Sequence, residues 1–449
     1  MKVLLFNPYR DVDRYIPADL RPYARFTPTE LSSYNLIPLD MAYIAGVLKG
    51  KHEVRCIDAH VTLTPVEAVD FNGYDAVVVN TAPHSHFRCC QTFVGHALEA
   101  VKLAKKAGAR TIIYGPHVTI APEDFGEADC VIVGEPEGVI EEALTGPGGT
   151  IGPLTLPKLP MPDYSVFDFS LYSSATSLQV FENQDFGKIG VISYSRGCPF
   201  SCGFCFRALA PKKIRKHTIA EVEAMLHELI DVQGCTCLFW EDLTFTLEKD
   251  WTFDLCDLIK RWKVPYVIQT RVERIDADIA RALAESGCYK VEMGVESGVE
   301  EILKRFNKRI TWNEVVKAVQ VTKDAGIPRV IAFAGLFAPG ETMETIEETR
   351  RKFHDLGLRF YCNIWFPYPN TMLYKIGIEE GKIGRTGGDW NELLPLAGTI
   401  GTQFTAEEVR QICNDIDRQE QNRQRLRKVI EKVTKPFKFA SNILTELIL

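Results

Sequence analysis

The sequence predicts an α/β protein in three parts. A doubly wound, flavodoxin-like parallel sheet spans residues 1–145, a (β/α)6 partial barrel spans 188–383, and a short helical region spans 384–449. Three observations carry this reading. Strand and helix signals alternate in two separate series, a breaker-rich stretch at 146–187 divides them as a linker, and a loop with three cysteines follows the first strand of the second series.

In the first series, Lys2–Asn7, Glu53–Ile57, Tyr74–Asn80, Arg110–Tyr114 and Asp129–Val133 read as strands. Leu39–Leu48, Cys90–Ala107 and Val139–Leu144 read as helices. In such a sheet ligands bind beyond the carboxyl ends of the strands. Gly146-Pro147-Gly148-Gly149 and the run from Pro153 to Pro162 supply the breakers of the linker. The second series has strands at Ile189–Tyr194, Thr236–Glu241, Tyr266–Arg271, Tyr289–Val295, Val330–Phe337 and Phe360–Phe366. The tail is helical from Thr405, and its last stretch, Phe437–Leu449, is amphipathic.

At 449 residues the chain exceeds one ordinary core. Its 46% hydrophobic and 25% charged residues are the balance of a globular protein. A net charge of −7 argues against a large basic surface for nucleic acid. No apolar run reaches the length of a membrane span, and Val3–Phe6 is followed at once by Asn7-Pro8, as a buried strand would be. The expected location is cytoplasmic. Thirteen cysteines then read as reduced thiols, and singletons such as Cys56, Cys130, Cys288 and Cys362 as small core residues.

One cluster stands apart: Arg196-Gly197-Cys198-Pro199-Phe200-Ser201-Cys202-Gly203-Phe204-Cys205-Phe206. Three thiolates on so short a loop can each reach a different iron of a cubane, leaving the fourth iron open to a substrate. A zinc knuckle would need a fourth ligand nearby, and no Cys or His stands at that spacing. Strand periodicity supports a polar interior beside the loop. Lys290, Glu292, Gly294 and Glu296 share one face of their strand, Gln269 and Arg271 one face of the preceding strand, and Tyr361, Asn363 and Trp365 one face of the last. A packed structural barrel would fill these positions with branched aliphatics. A sheet with one solvent-exposed face would show the same alternation.

Cys198, Cys202, Phe204 and Cys205 resemble the hallmark Cys-x-x-x-Cys-x-aromatic-Cys of the radical S-adenosylmethionine (SAM) superfamily. The resemblance implies a 4Fe–4S cluster on the three cysteines, a partial barrel, and SAM cleaved to a 5′-deoxyadenosyl radical. It also implies that Glu241 and Asp242 contact the amino group of SAM, and that Gln269, Arg271, Glu296 and Ser297 contact its ribose and carboxylate. Gly340-Glu341-Thr342 and Pro367-Tyr368-Pro369-Asn370-Thr371 resemble segments of one branch of the superfamily, with Asn370 in place of a glycine.

That branch carries a cobalamin-binding domain before the barrel, and the first 145 residues resemble one. The pieces are Asn7-Pro8-Tyr9, Pro38–Tyr43, Val54–Asp58, Gly115-Pro116-His117-Val118-Thr119 and Gly134-Glu135-Pro136-Glu137, and Thr81 and His84 join them as cofactor-binding candidates. The Asp-x-His-x-x-Gly pattern that ligates cobalt in many such domains is missing after the first strand. Asp58-x-His60 follows the second strand with Leu63 where glycine belongs, so His60 is expected as a surface or hinge histidine. The expectation is that no histidine ligates the lower face of cobalt and that the Thr81–His86 loop packs there, with His84 and His86 able to overturn it. A nucleotide-binding domain is disfavoured because Gly-x-Gly-x-x-Gly is absent after the first strand.

The resemblance implies a cobalamin-dependent methylase acting on an unactivated carbon, with methylcobalamin as methyl source and an electron donor such as ferredoxin or flavodoxin. Glu292, Tyr361, Asn363 and Trp365 are the candidate catalytic residues, with Tyr368 as a further substrate contact; the same aromatics would also suit the packed floor of a barrel. Protein glutamine C-methylases of methanogens are compact members of the branch, so a peptide or protein acceptor is expected beside a small molecule. A radical cyclase or ring-rearranging enzyme keeps both cofactors, and a non-catalytic cobalamin or redox sensor is the alternative from another class.

Overall fold

The computed structural model describes residues 1–24, 35–81, 92–154, 156–175, 180–182, 184–206, 211–384 and 387–434. His84, His86, Cys90 and Phe437–Leu449 lie outside the described residues.

The first sheet has six parallel strands: β1 (Lys2–Asn7), β2 (Glu53–Asp58), β3 (Ala76–Asn80), β4 (Arg110–Tyr114), β5 (Cys130–Gly134) and β6 (Gly149–Leu154). Their order is β2-β1-β3-β4-β5-β6. The chain therefore reverses direction of winding between β1 and β3, which opens a crevice beyond the carboxyl ends of those two strands. Strands β3, β4 and β5 are buried almost throughout, as near-continuous Val/Ile runs require when helices cover both faces. The sixth strand corrects the sequence reading. Gly149–Leu154 falls inside the expected linker, yet it pairs with β5. Gly148, Gly149 and Gly152, all at positive φ, bend the backbone onto the sheet edge, so a breaker-rich composition here makes an irregular strand.

Helix α1 (Leu39–Leu48) is buried nearly all round, because it is wedged between the two halves of the molecule. Tyr114 donates its hydroxyl to Asp40 at 2.7 Å on one side, and Tyr43 reaches His217 at 3.1 Å on the other. A side chain at Gly46 would strike the backbone of Met161. Helix α2 (Gly95–Lys106) begins later than the expected Cys90, because Thr92 instead lends its carbonyl to Trp390 N at 2.5 Å. Helices α3 (Pro116–Ile120) and α4 (Ile140–Thr145) complete the first layer.

The second sheet is also six-stranded and parallel, in the order β14-β13-β12-β11-β10-β7. It comprises β7 (Ile189–Ile192), β10 (Cys237–Trp240), β11 (Tyr266–Arg271), β12 (Cys288–Glu296), β13 (Arg329–Leu336) and the two-residue β14 (Asn363–Ile364). A short antiparallel pair, β8 (Ser195–Arg196) and β9 (Arg215–Lys216), stands at the carboxyl end of β7. The outer helices are α5 (Ile219–His227), α6 (Lys249–Ile259), α7 (Ala277–Glu285), α8 (Glu300–Arg305), α9 (Trp312–Asp324), α10 (Met343–Asp355) and α11 (Met372–Glu379). Capping boxes start α5 at Thr218/Glu221 and α9 at Thr311/Glu314. The last strand is shorter than the expected Phe360–Phe366: Tyr361 leaves the edge to donate to Glu182, and Pro367 ends the run.

Helix α12 (Ala406–Thr434) closes the chain, entered through reciprocal bonds between Thr405 and Glu408. It buries Val409, Cys413 and Ile416 against the barrel. No helix among the described residues is long and apolar enough to cross a membrane.

Candidate active site

The three cysteines lie on the segment leaving β8, with Cys198 and Cys202 half-buried and Cys205 exposed. The neck of this loop is the β8–β9 pair. Gly197 (φ +112) sits inside it, where a Cβ would come within 2.5 Å of Lys213 O, and Cys198 N donates to Pro211 O at 3.0 Å. On the far side Gly203 donates to Phe306 O, and its own carbonyl accepts from Met372 N. The loop is therefore fastened to three separate elements.

Two cations crowd it. Arg271, at the carboxyl end of β11, donates from Nη1 to Cys202 Sγ at 3.1 Å and from Nη2 to Lys308 O at 2.6 Å. Its guanidinium lies 4.0 Å from the ring centroid of Phe200 and pairs with Glu273. Lys308 is buried, pairs with Glu296 at 3.0 Å, and stands 5.8 Å from the ring of Phe204. Glu296 adopts φ +78, and Gly294 is bare where a Cβ would meet Glu296 Oε1 and Lys308 Nζ. Among the described residues no three His, Cys, Asp or Glu side chains are close enough to share one metal ion. A cubane asks for something else, each thiolate on its own iron, and a short cysteine loop beside positive charge suits its net negative charge.

Below this level the interior of the barrel is polar and its groups pair with one another, with Lys290 and Glu292 buried and Gln269, Tyr361 and Glu182 half-buried. Lys290 and Glu292 form an ion pair at 2.7 Å with both side chains almost wholly buried, and Gln269 donates to Glu292 at 2.7 Å. Tyr361 donates to Glu182, which also pairs with Arg329. Asn363 is exposed, whereas Trp365 is buried against Phe306 and Phe204, with centroids 4.3 and 4.9 Å away. Gly335 has no side chain because the Trp365 indole occupies that space. Tyr368 is likewise buried, 5.0 Å from Phe206. Of the candidate catalytic residues, Asn363 is thus the one exposed, although its Nδ2 donates to Ala334 O at 3.4 Å, while Glu292, Tyr361 and Trp365 are more deeply engaged with protein partners.

Glu241 and Asp242 directly follow β10, both buried. Asp242 accepts from Tyr194 N at 3.2 Å, Ser195 N at 2.7 Å and Ser195 Oγ at 2.5 Å, so its carboxylate straps the backbone that leads into the loop. Burial pushes its pKa up to about 7 against the pull of these donors. Ser297 is turned away from the site: it is fully buried, accepts from Val299 N at 3.1 Å and stands 3.5 Å from Thr349 Oγ1 on α10.

In the first half of the molecule the candidates gather at the carboxyl ends of the strands. Asn7 ends β1 and donates to Asp58 at 2.8 Å. Pro8 and Tyr9 follow, and the Tyr9 ring stacks over His60 at 6.2 Å. His60 is 2% exposed, which corrects its expected surface position: the turn after β2 folds it under Tyr9. Thr81 follows β3 and donates to Tyr114 O at 3.1 Å, while Gly115, at φ +128, leaves room for the Thr81 hydroxyl. Gly134, at φ +92, donates from its backbone N–H to Thr119. Nearby, Arg10, His96 and His117 are all buried, and burial together with the positive Arg10 holds His96 well below its ordinary pKa.

Two candidates of this half reach across to the other. His117 stacks on Trp390, centroids 4.2 Å apart, and the same indole meets Phe206 just past the last cysteine. Glu135 is bonded to Arg196 at 3.2 Å, to Arg215 at 2.6 Å and to Leu156 N at 2.6 Å. Lys308, Arg215 and Trp390 were missed by sequence reasoning. None sits in a periodic pattern, and only a fold brings them to the loop.

Comparison with known proteins fits this geometry. The radical SAM superfamily model matches residues 192–353, and the B12 binding domain model matches residues 31–144. The chain is 28% identical to an uncharacterized methyltransferase of Pyrococcus horikoshii over 84% of its length and 85% of that protein. It is 23% identical to bacteriochlorophyllide d C-8(2)-methyltransferase of Chlorobaculum tepidum over 80% of this chain and 79% of that one. A shorter likeness, 28% identity over 42% of this chain and 32% of the other, links it to anaerobic magnesium-protoporphyrin IX monomethyl ester cyclase of Cereibacter sphaeroides. Its fold matches that of the radical SAM methyltransferase TsrM from Kitasatospora setae, solved with cobalamin and a 4Fe–4S cluster bound. The TM-score is 0.62 at 18% identity, covering 86% of this chain and 79% of that one.

Proposed function

Because this chain is a cobalamin-dependent radical SAM enzyme homologous to methyltransferases, with a 4Fe–4S cluster, SAM and cobalamin as its cofactors, we propose that it methylates an unactivated carbon of an amide-bearing acceptor, such as a glutamine of a peptide. The observation that carries the reading is the juxtaposition of the Cys198–Cys205 loop, gripped by Arg271 at Cys202, with the half-open polar layer at the carboxyl ends of β11 to β14. When bound, the cofactors supply a carbon-centred radical and a methyl group.

The residues of the chain position and shield. Cys198, Cys202 and Cys205 hold the cluster. Glu241 takes the amino group of SAM, while Asp242 holds the loop neck in place. Gln269 and Glu296 face its ribose, with Glu296 oriented by Lys308. Arg271 neutralises thiolate charge at Cys202 and fixes its direction. Phe204, Phe306 and Trp365 exclude water from one wall. Asn363, exposed at the level of Gly335, donates one amide N–H to Ala334 O at 3.4 Å and so has its other N–H and its Oδ1 to pair with a carboxamide. Thr81, Gly115, His117 and Gly134 line the cobalamin side.

Incubating the anaerobically reconstituted enzyme with trideuteromethyl-SAM, a reductant such as reduced flavodoxin, and a peptide fraction tests the reading. It predicts 5′-deoxyadenosine and S-adenosylhomocysteine in equal amounts with deuterated product. Deoxyadenosine without S-adenosylhomocysteine would refute methyl transfer and favour the cyclase reading, which the likeness to a magnesium-protoporphyrin cyclase supports.

A further inference from the structure

The neck of the cysteine loop is held by the wrong domain. Arg196 and Arg215 face each other as a pair in the β8–β9 ladder. Both are gripped by carboxylates from the short turn after β5, in the first half of the molecule. Glu135 takes Arg196 Nη1 and Arg215 Nη1, and Glu137 takes Arg196 Nη2 at 2.8 Å. All four side chains are 97% or more buried. The Arg196 guanidinium also lies 4.9 Å from the ring centroid of Tyr43 on α1, whose hydroxyl meets His217, a histidine that burial lowers to about 4.

We infer that Glu135 and Glu137 are positioning residues for the cluster: through Arg196 they set the loop that carries Cys198, so the domain matching the B12-binding family completes the SAM site of the other. The inference rests on the proposed role of the three cysteines. The chemistry favours orientation over bulk stability. Burying four charges gains little net stability compared with apolar packing, but a guanidinium shared between two carboxylates, Nη1 on Glu135 and Nη2 on Glu137, fixes a direction that apolar packing would leave loose. Arg196 is two residues from Cys198 and in the strand that Asp242 straps from the barrel side. The neck is thus fixed from both domains, and a slack grip on either side would let Cys198 and the open iron drift.

The test uses the full chain reconstituted with iron, sulfide and hydroxocobalamin. The double variant Glu137→Gln/Arg196→Met removes one charge of each sign and leaves Glu135 with Arg215, so the buried cluster stays neutral. The expected result is wild-type iron content, but a paramagnetic signal of the reduced cluster that responds to SAM only at roughly 10–100-fold higher concentration. Arg196→Lys, which keeps the charge and loses the fork, falls between the two. A lower melting temperature with an unchanged SAM titration would mean that the four residues are merely structural, and would overturn the inference. If the double variant does not fold, Glu137→Gln alone, with Arg196 still on Glu135, gives the same readout. A smaller shift in the same direction supports the inference and no shift overturns it. Absence of any SAM-dependent signal in the wild type would fail earlier, refuting the cysteine assignment itself and the inference with it.

Discussion

The two parallel sheets solve the same problem in opposite ways. In the first, strands such as Ala76–Asn80 and Arg110–Tyr114 are buried on both faces, and the site candidates wait at the carboxyl ends: Asn7, Thr81, Gly115, Gly134 and Glu135. In the second, β12 alternates, and Lys290, Glu292 and Glu296 point polar groups into the barrel. A sheet covered on both faces can host chemistry only at its rim, whereas a partly closed barrel can host it on its inner wall. The contrast also shows why the cysteine loop sits where it does, at the rim of the barrel and facing the rim of the other sheet.

Replacing a cysteine of the rim loop should therefore abolish function while sparing the fold. Cys202→Ala is expected to have the largest effect on activity, with complete loss of 5′-deoxyadenosine formation and little change in melting temperature, as checked by product chromatography and calorimetry. The inner wall should behave otherwise. Glu292→Leu removes the carboxylate paired with the buried Lys290 and should cost about 3–5 kcal/mol in denaturant unfolding, while Lys290→Met/Glu292→Leu should regain most of it. Equal losses in the single and double variants would show that the pair is more than an internal neutralisation.

At the rim of the first sheet, Gly115→Ala forces a side chain into φ +128 and against the Thr81 hydroxyl. It should cost about 1–3 kcal/mol and release cobalamin, seen as loss of corrin absorbance after gel filtration. Retention of the corrin would move its site away from Gly115.

These contrasts bear on what was legible beforehand. The alternation on β12 put Lys290, Glu292 and Glu296 on one wall from sequence alone, because a period of two is a property of neighbouring residues. The spacing of Cys198, Cys202 and Cys205 was legible for the same reason. Glu135 was legible only as part of a motif, and its partners Arg196 and Arg215 lie 61 and 80 residues away. Ser297 looked like a continuation of the polar face, but the chain turns after Glu296 at positive φ and carries it to α10. The strand Gly149–Leu154 was hidden by its glycines and proline, which stabilise no regular pairing until β5 supplies the edge.

The smallest expected effect concerns pH. Glu341 is buried in the turn between β13 and α10, where it accepts from Ala338 N at 2.8 Å, and burial raises its pKa to about 7. Between the ordinary carboxylate range and pH 7 the folded chain thus holds a proton that the unfolded chain has released. Stability contributed by this group falls as pH rises through that window. Glu341→Gln should flatten the slope of melting temperature against pH there. An unchanged slope would assign the pH dependence to other buried acids such as Asp242.

The most direct test of the central claim is the iron content and paramagnetic spectrum of the anaerobically reconstituted wild type beside its three single Cys→Ala variants. The account predicts about four irons per chain in the wild type, a reduced-cluster signal that changes on adding SAM, and loss of that SAM-responsive signal in Cys198→Ala, Cys202→Ala and Cys205→Ala alike. Full iron and an unaltered SAM response in any one of the three would contradict it.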